Sequence, residues 1–453
     1  MVLVVNMIPN SLSGETNQDS EPTIAVNPAN PLQIVGSAFT PDPTGAGQAP
    51  LYISNDGGNT WLLNFIVPSE VQTADITVAF SSTTNNLYAG IIVMPVVANT
   101  PRLNILRTSN FQSPQTMTVL VDRMGQGVDQ PFVQATTVAG ADRVYVGDND
   151  FNATPQSATV DLSTNAAAAA PNFRSARIEA RGTGTAGQDG PSIRPAISAD
   201  GQRVYGAFLG WRNATADGHI TADVVVVRDD NGGAGAAPFT ALVDGDGHAG
   251  VRVVGNIAFN FNGFLGQQRV GGDVAIAVDP TDSATVYVAY ADLQGSTYTL
   301  HVRRSTDGGA TWSAADLRTV PNATNPALAI NSNRTVGFLY QQLTGRGAQQ
   351  RLVTHLERTV DGVHWTDLIL ATVPANIPAK QFDPYIGDYD HLLAVGRDFY
   401  GVFSANNTPD HADFPNGVVY QRNANFNTHT LLDVDNRTSV HISIDPFFFK
   451  VTE

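Results

Sequence analysis

The sequence LYISNDGGNTW at residues 51–61 decides the fold because a second copy, HVRRSTDGGATW, lies at residues 301–312. Each copy begins with alternating apolar residues that predict a strand, and its Asp-Gly-Gly predicts the tight turn that ends the strand. The Asp can accept backbone N–H hydrogen bonds, the glycines tolerate positive φ, and the Trp can cover the hairpin. The shared positions are Ser54, Asp56, Gly58, Thr60 and Trp61, then Ser305, Asp307, Gly309, Thr311 and Trp312, with a shorter copy at Thr359, Asp361, Gly362 and Trp365.

A longer repeat runs through the whole chain. Each unit has a polar residue, often followed by Pro, then an apolar strand, a turn and a second strand that ends in aromatic residues. Seven units of about 60 residues match four-stranded propeller blades with variable loops. The first strands begin at Glu21, Asp75, Gln130, Arg194, Asp273, Asn325 and Asp390, with Asp383 as a rival start for the last unit.

This repeat predicts an all-β fold, a single seven-bladed β-propeller domain over residues 1–453. Two β-sandwiches are the rival, but no composition shift marks a boundary between them. The apolar run at residues 2–7 is expected to add a strand to the last blade, which closes the ring and removes an exposed sheet edge. An outer strand of that blade is expected at residues 418–422. Residues 163–181 are expected to hold a helical turn, and residues 231–272 to form a long loop.

Composition excludes several classes of protein. Charged residues are only 15% of the chain, the net charge is −16, and Lys380 and Lys450 are the only lysines. Nucleic acids and anionic membranes need a basic face, so neither is an expected partner. The absence of cysteine excludes disulfides and thiolate metal sites. No apolar run is long enough to insert into a membrane. The first residues lack a signal-peptide pattern. The protein is therefore expected in the cytoplasm, or outside the cell or in the periplasm if Met1 replaces a removed signal peptide.

The repeated turn resembles the Asp-box, or BNR repeat, of the sialidase superfamily. The resemblance implies a β-propeller over nearly the whole chain, with the box on an outer turn away from the catalytic face. Known sialidases have six blades, so a six-bladed sialidase-like propeller is the alternative to seven. The resemblance also implies three arginines on the sugar carboxylate, one of them in an early Arg-Ile-Pro motif, a Tyr nucleophile backed by Glu, and an Asp acid/base. The nearest string here is Ile193-Arg194-Pro195 in the fourth unit, so sialidase chemistry itself is not expected.

The resemblance further places the entry residue of each first strand around the mouth of one central channel, where ligands bind. Carboxyls this close cannot all stay ionised without compensation. Arg194, raised carboxyl pKa values or a bound cation such as Ca²⁺ must supply that compensation. Alternatively, these residues only satisfy backbone at strand ends. The entry residues predicted to bind substrate are Glu21, Asp75, Gln130, Asp273 and Asn325.

Residues that follow the second strands are expected on the same face. Aromatic rings around a polar mouth suit a sugar, because its C–H face stacks on a ring while its hydroxyls bond to polar side chains. The alternative is that these aromatics pack between blades. The predicted substrate-binding residues in this group are Asp150, Trp211, Arg212, Tyr290, Asp292 and Tyr340.

The densest group of reactive side chains lies at residues 383–391. A Tyr paired with a carboxylate or with His can carry out acid–base or nucleophilic steps on a sugar. Alternatively, the Asp residues cap turns and the His is structural. The predicted catalytic residues are Asp383, Tyr385, Asp388, Asp390 and His391, together with Arg194.

The Asp-Gly-Asp-Gly-His sequence at residues 244–248 resembles a calcium loop. Its Asp-Gly alternation fits, but no Glu closes it at the EF-hand distance. Asp244 and Asp246 are therefore the candidate Ca²⁺ ligands, and the alternative is that the protein has no cofactor.

These patterns predict a carbohydrate-active enzyme, a glycoside hydrolase or polysaccharide lyase that acts on a glycan at the central mouth. Resemblance to seven-bladed Asp-box lyases implies a Tyr385 or His391 base, with Arg194, Arg212 or a cation neutralising a uronate. The alternative is a non-catalytic propeller that binds glycan or protein.

Overall fold

The computed structural model describes residues 1–40, 48–68, 73–93, 102–124, 128–153, 156–182, 189–260, 273–378 and 386–453. In these ranges the chain forms strands and three short 3-10 helices, Asn10–Leu12, Gly347–Gln349 and His411–Asp413, and no α-helix. None of these helices is long and apolar enough to cross a membrane. The strands are β1 (Val2–Asn6), β2 (Ser20–Val26), β3 (Ile34–Phe39), β4 (Gln48–Ser54), β5 (Leu62–Pro68), β6 (Thr73–Phe80), β7 (Leu87–Val93), β8 (Arg102–Thr108), β9 (Thr118–Met124), β10 (Val128–Val138), β11 (Ala141–Asp150), β12 (Ala158–Ser163), β13 (Arg174–Arg177), β14 (Arg194–Ile197), β15 (Val204–Ala214), β16 (His219–Asp229), β17 (Val251–Asn260), β18 (Val274–Asp279), β19 (Asp282–Gln294), β20 (Thr297–Ser305), β21 (Arg318–Pro321), β22 (Ala323–Ile330), β23 (Val336–Thr344), β24 (Arg351–Thr359), β25 (Thr366–Pro374), β26 (His391–Val395), β27 (Asp398–Asn406), β28 (Val419–Tyr420), β29 (Ala424–Asn425), β30 (Thr430–Leu432), β31 (Ser439–Val440) and β32 (Ile444–Val451).

Seven sheets are the blades of a β-propeller. Blades 1 to 6 each contain four strands in chain order, from β2–β5 in blade 1 to β22–β25 in blade 6. The innermost strands pack against one another in a closed circuit, β2, β6, β10, β14, β18, β22, β26 and back to β2. This closed circuit confirms the predicted seven-bladed propeller and excludes both six blades and two separate sandwiches.

Blade 7 combines strands from distant parts of the chain, in the order β26-β27-β32-β1-β28. β1 pairs antiparallel with β32, with Val4 opposite Phe449, and it pairs in parallel with the two-residue β28. The outer strand predicted at residues 418–422 is therefore only an edge piece, and β32 is the third strand of the blade. The reason is an excursion at residues 407–443, which carries the small sheet β29–β31.

Two other expectations are corrected. Residues 163–181 contain no helical turn, because they form turns and the strand β13, which pairs with β12. Residues 231–272 are not only a loop, because β17 lies within them and pairs with β16 as the fourth strand of blade 4. Residues 261–272 lie outside the described residues.

The hydrophobic core lies between neighbouring blades. A blade is covered on both faces, so a middle strand such as β7 is buried along its whole length and reads as a continuous apolar run. One cluster joins blades 1 and 2 through Val35 and Leu51 on one side and Ile76 and Leu106 on the other. Burying each such side chain contributes about 2 kcal/mol to the free energy of folding. This packing holds the first strands around the axis.

The repeated turn lies between the third and fourth strands of blades 1 and 5, at the outside of the ring. Asp56 accepts hydrogen bonds from the Thr60 backbone N–H (2.9 Å), the Thr60 hydroxyl (2.6 Å) and the Ser54 hydroxyl (2.8 Å). The Gly58 N–H donates to the Ser54 hydroxyl, and the Trp61 indole donates to the Gly58 carbonyl. The second copy makes the same carboxylate and hydroxyl bonds at Ser305, Asp307, Gly309 and Thr311.

Candidate functional site

The seven entry residues lie at or beside the beginnings of the innermost strands, and all are nearly inaccessible to solvent. The closed circuit of innermost strands brings their positions to one end of the axis. In four blades the first strand has a β-bulge here, where two of its residues oppose one residue of the second strand. Each bulge contains the entry residue, and in blades 1, 3 and 6 its second residue is the Pro that follows. The entry residues are Glu21, Asp75, Gln130, Arg194, Asp273, Asn325 and Asp390.

Three of these bulges hold a non-glycine residue at positive φ. The φ angles are 50° at Glu21, 45° at Gln130 and 53° at Asn325, and each residue precedes a proline. Such backbone is strained and persists only where the surrounding structure over-determines it. Blades 1, 3 and 6 therefore share the same strained β-bulge. In each of them the polar side chain of the bulge contacts the same segment of blade 7.

That segment, residues 386–390, crosses the axial end of the propeller on its way to β26, and we call it the crossing segment. The Asp388 N–H donates to Glu21 Oε1 (3.2 Å), and Gln130 Nε2 donates to Asp388 Oδ2 (3.3 Å). Asn325 Nδ2 donates to the Gly387 carbonyl (3.3 Å). Three blades thus hold one short stretch of blade 7, and the entry residues Glu21, Gln130 and Asn325 are buried against it.

Gly387 makes the closest backbone approach in the crossing segment. Its φ is +87°, and a Cβ there would lie 2.5 Å from the backbone nitrogen of Glu21 and 3.0 Å from its Cα. Only glycine fits such a contact. The crossing segment was not predicted from the sequence. A signal for it was available, because Gly387 stands beside Asp-Tyr-Asp just before a first strand.

Tyr389 and Arg194 fill the centre of the cluster. The Tyr389 hydroxyl donates to Asp75 Oδ1 (3.0 Å), and burial raises the pKa of this phenol, with the charges of Asp75 and Glu21 adding to the rise. The guanidinium carbon of Arg194 lies 4.6 Å from the ring centre of Phe132 and 5.4 Å from that of Tyr389. Both distances are within the range of cation–π attraction.

Arg194 is the cation among the entry residues, and part of its donor capacity is unused. Its NH2 donates to Gln130 Oε1 (3.0 Å) and to the Ser192 hydroxyl (3.3 Å). Its NH1 is buried and has no hydrogen-bond partner among the described residues. Burial lowers the pKa of Arg194, and the charges of Tyr389 and three nearby carboxylates oppose that shift. The guanidinium therefore offsets some of the negative charge here and keeps one donor for a ligand.

Asp273 and Asp390 are neighbouring carboxyls in opposite environments. Asp273 Oδ2 accepts from the Thr324 hydroxyl (3.1 Å) and the Asn325 N–H (3.2 Å). Neither carboxyl oxygen of Asp390 has a partner with normal hydrogen-bond geometry in the described part of the chain. Burial raises the pKa of Asp390 well above its usual value, the Ser404 N–H opposes this, and the charge of Asp273 adds to it. Burial therefore favours the protonated form of Asp390.

His391 is a neutral imidazole whose tautomer is set by the backbone. Its Nδ1 accepts the Ile24 N–H (3.2 Å) and lies 3.3 Å from the Thr23 hydroxyl. Because an amide N–H can only donate, the ring proton is on Nε2. Burial, followed by the charge of Arg194, lowers the pKa of His391 to about 4.

A cavity of about 340 Å³ extends from this cluster along the axis. Its polar end is formed by Arg194, Asp273, His391 and residues 388–390, and apolar first-strand side chains form the rest of its wall. This volume is in the range of small-molecule sites. The polar groups at one end can orient a ligand, and the apolar wall excludes water from it.

Of the predicted substrate-binding residues, Asp273 lies in the cavity wall that the structure describes. The other four at strand entries contact the crossing segment: Glu21, Asp75, Gln130 and Asn325. The side chains of the six that follow second strands are engaged within and between blades. Among the charged residues, Asp150 pairs with Arg123 and with Arg177 (3.1 Å), Arg212 binds Asp223 (2.8 Å), and Asp292 accepts the Ala258 N–H (2.9 Å). Among the aromatic residues, Trp211 packs edge-on against Phe259, Tyr290 stacks on His301, and Tyr340 stacks on His355.

At the candidate calcium loop, residues 244–248, both carboxylates lie beside arginines. Arg252 NH1 lies 2.8 Å from Asp244 and 2.9 Å from Asp246, and the buried Arg181 lies 3.2 Å from each of them. Asp244 and Asp246 are thus ion-paired to these two arginines. The remaining predicted catalytic residues, Asp383 and Tyr385, lie outside the described residues.

No family model and no curated protein matches the chain. Among solved structures, the chain is similar to an α-L-arabinofuranosidase of Fusarium graminearum in complex with an iminosugar inhibitor (TM-score 0.46, 11% identity, covering 98% of this chain and 97% of that one). It is also similar to the endosialidase of phage phi92 (0.45, 10%, 100% and 69%) and to the NanB sialidase of Streptococcus pneumoniae (0.36, 10%, 88% and 66%). Likeness at this level shows neither the substrate nor the chemistry of this chain.

Proposed function

We propose that the protein is a glycoside hydrolase that acts on a glycan at the polar end of the axial cavity. The observation that carries the proposal is the Asp390 carboxyl, which is buried in the cavity wall, where the Ser404 N–H opposes the effect of burial on its pKa without cancelling it. Beside it, Asp273 accepts two hydrogen bonds. A carboxyl that stays protonated beside a carboxylate is the usual arrangement of acid and base in glycoside hydrolysis, and we assign these roles to Asp390 and Asp273.

In this mechanism Asp390 is the proton donor. Its O–H proton passes to the glycosidic oxygen as the bond from that oxygen to the anomeric carbon breaks. Asp273 is the carboxylate, which accepts a proton from the water that attacks the anomeric carbon. Arg194 NH1, which has no partner among the described residues, binds a sugar oxygen and orients the ring. The small cavity favours release of a terminal sugar.

The lyase alternative has less support from His391. A lyase needs a base that removes a proton beside a uronate carboxyl. The Nδ1 lone pair of His391 already accepts the Ile24 N–H, and Nε2 carries the ring proton. Neither nitrogen is ready to accept another proton, so hydrolysis is the better-supported chemistry.

The test is a screen of neutral and uronate-rich polysaccharides and aryl glycosides, read for new reducing ends and for the near-ultraviolet absorbance of unsaturated uronates. We expect reducing ends without that absorbance. Asp390→Asn is expected to lower kcat by about 10²–10⁴-fold, because Asn cannot donate the proton. The kcat of the wild type is expected to fall as pH rises through the raised pKa of Asp390.

Asp200→Asn is the control, because Asp200 is exposed on the turn between the first two strands of blade 4. It should keep full activity. Wild-type turnover by a folded Asp390→Asn protein would overturn the proposal. A sugar that raises Tm without being cleaved would instead identify a binding propeller.

A further inference from the structure

Away from the axial end, three carboxyls meet where the connection between β1 and β2 passes the beginning of β32. Glu15 and Asp19 belong to the connection, and Asp445 belongs to β32. One oxygen of each carboxyl lies within 4.8 Å of an oxygen of the other two. Asp19 is 1% exposed, Asp445 is fully buried, and the Glu15 side chain is 6% exposed. Three acidic groups are thus shielded together from water.

Asp445 is the fixed member of this group. It accepts hydrogen bonds from Asn6 Nδ2 (2.7 Å), Asn407 Nδ2 (2.6 Å) and Arg422 NH1 (3.0 Å). Arg422 is itself fully buried, and its NH2 donates to the Ser13 carbonyl (2.8 Å). Neighbouring strands and the connection therefore hold this carboxylate in one orientation, as a metal ligand requires.

The other two carboxyls have unused oxygens that face the same point. Both oxygens of Asp19 and Oε2 of Glu15 are buried and have no hydrogen-bond partner with normal geometry in the part of the chain that the structure describes. Arg422 NH1 is 3.9 Å from Glu15 Oε2, which is too far for a hydrogen bond. Buried polar atoms of this kind call for a partner.

The three carboxyls can all be ionised only if a further cation is bound, since burial otherwise raises the pKa of Glu15 and raises that of Asp19 to about 7. Three carboxylates carry −3 and Arg422 carries +1, which leaves −2 in a site closed to solvent. A single divalent cation cancels that charge. Ca²⁺ binds carboxylate oxygens at about 2.3–2.6 Å, so oxygens on one Ca²⁺ lie up to about 5 Å apart, whereas Mg²⁺ at about 2.0–2.1 Å draws them closer. The three carboxyl oxygens lie within 4.8 Å of one another, close enough to share one ion, and Ca²⁺ accepts irregular oxygen geometry whereas Mg²⁺ demands a near-ideal octahedron.

We propose that Glu15, Asp19 and Asp445 form a Ca²⁺ site that fastens the β1–β2 connection to β32. β1 is the strand that pairs with β32 in blade 7, and β2 is the first strand of blade 1. The ion therefore stabilises the join between the last and first blades. This site is separate from the axial cavity, so its test is independent of any catalytic activity.

The experiment uses the full chain, stripped with chelator and then titrated with CaCl₂ or MgCl₂ by calorimetry, with Tm measured in parallel. We expect one Ca²⁺ per chain, weaker binding of Mg²⁺, and a Tm increase of at least about 2 °C at saturating Ca²⁺. Asp19→Asn is expected to weaken Ca²⁺ binding at least about tenfold. Without metal the same variant should be no less stable than the wild type, because it removes a buried charge.

Asp244→Asn is the matched control, since Asp244 is an acidic residue held by arginines, and it should keep the full Tm shift. Glu15→Gln is the second variant if Asp19→Asn does not fold, with the same loss of the shift expected. No heat of binding and no Tm change in the wild type at about 10 mM Ca²⁺ would overturn the proposal, as would an equal Tm shift in Asp19→Asn and wild type.

Discussion

The outer turn of blade 1 and the axial cluster both depend on aspartates, but they differ in where the hydrogen-bond donors come from. Asp56 accepts all its bonds from Ser54 and Thr60 within its own turn. Partial burial acts to raise the pKa of Asp56, yet these bonds lower it overall. Asp390 has no such donors among the described residues, and burial raises its pKa. Local donors thus favour the ionised form of one carboxyl, whereas burial favours the protonated form of the other.

The largest expected effect is at Arg194. Arg194→Met removes the cation that faces the axial carboxylates and leaves the Gln130 carbonyl with only the longer bond from the Ser192 hydroxyl (3.4 Å) among the described residues. We expect the free energy of unfolding to fall by about 3–5 kcal/mol, as when one partner of a buried ion pair is lost. Urea denaturation at pH 7, followed by tryptophan fluorescence, measures it. Arg194→Lys keeps the charge and should recover part of the loss. Wild-type stability in Arg194→Met would show that the axial charges are balanced in another way.

The second effect is a pH dependence at His391. The fold favours the neutral ring, with a pKa of about 4 against 6.5 when unfolded. The contribution of His391 to the free energy of unfolding is complete above pH 6.5, and it is lost as pH falls from 6.5 to about 4. We expect it to amount to about 3 kcal/mol. Unfolding measured across this window should show a shallower slope for His391→Gln than for wild type.

The control for this slope lies on an outer turn. His364 is exposed beside Asp361 in blade 6, and His364→Gln should leave the wild-type slope unchanged. Identical slopes for wild type and His391→Gln would contradict the assignment of a buried neutral imidazole.

The smallest effect is at the outer turns. Asp56→Asn and Asp307→Asn each weaken bonds from one Thr and one Ser, and each should cost about 0.5–1.5 kcal/mol of unfolding free energy. Because both turns make the same bonds, the two losses should be nearly equal, and catalytic activity should not change. Thermal unfolding of the two single variants tests this. A large difference between them would mean that the surrounding blade, not the turn sequence, sets the stability.

The same comparison explains what could be predicted from the sequence. The outer turns were predictable because the bonds of their Asp and Ser side chains lie within eight residues of sequence, and the blade count followed from the recurrence of the first strands. The crossing segment was not predictable. Asp388 binds Glu21 and Gln130, which are 367 and 258 positions away, and no local pattern records such a contact.

The aromatic residues at strand ends show a second limit. Alternation along a strand does not reveal which neighbour a ring will meet. Tyr290 and Tyr340 stack on His301 and His355, the residues directly opposite them on the third strands, so their rings serve cross-strand pairing. Whether a ring at such a position faces a ligand or a neighbouring strand depends on the register of the sheet.

The contact between Gly387 and Glu21 bears on both the closure of the ring and the wall of the cavity. The first blade touches the last one through a glycine with no room for a methyl group. The circumference of the ring and the shape of the pocket are therefore set at one point. Asp388, the next residue, lines the cavity, so a side chain at position 387 would disturb both the ring closure and the cavity wall.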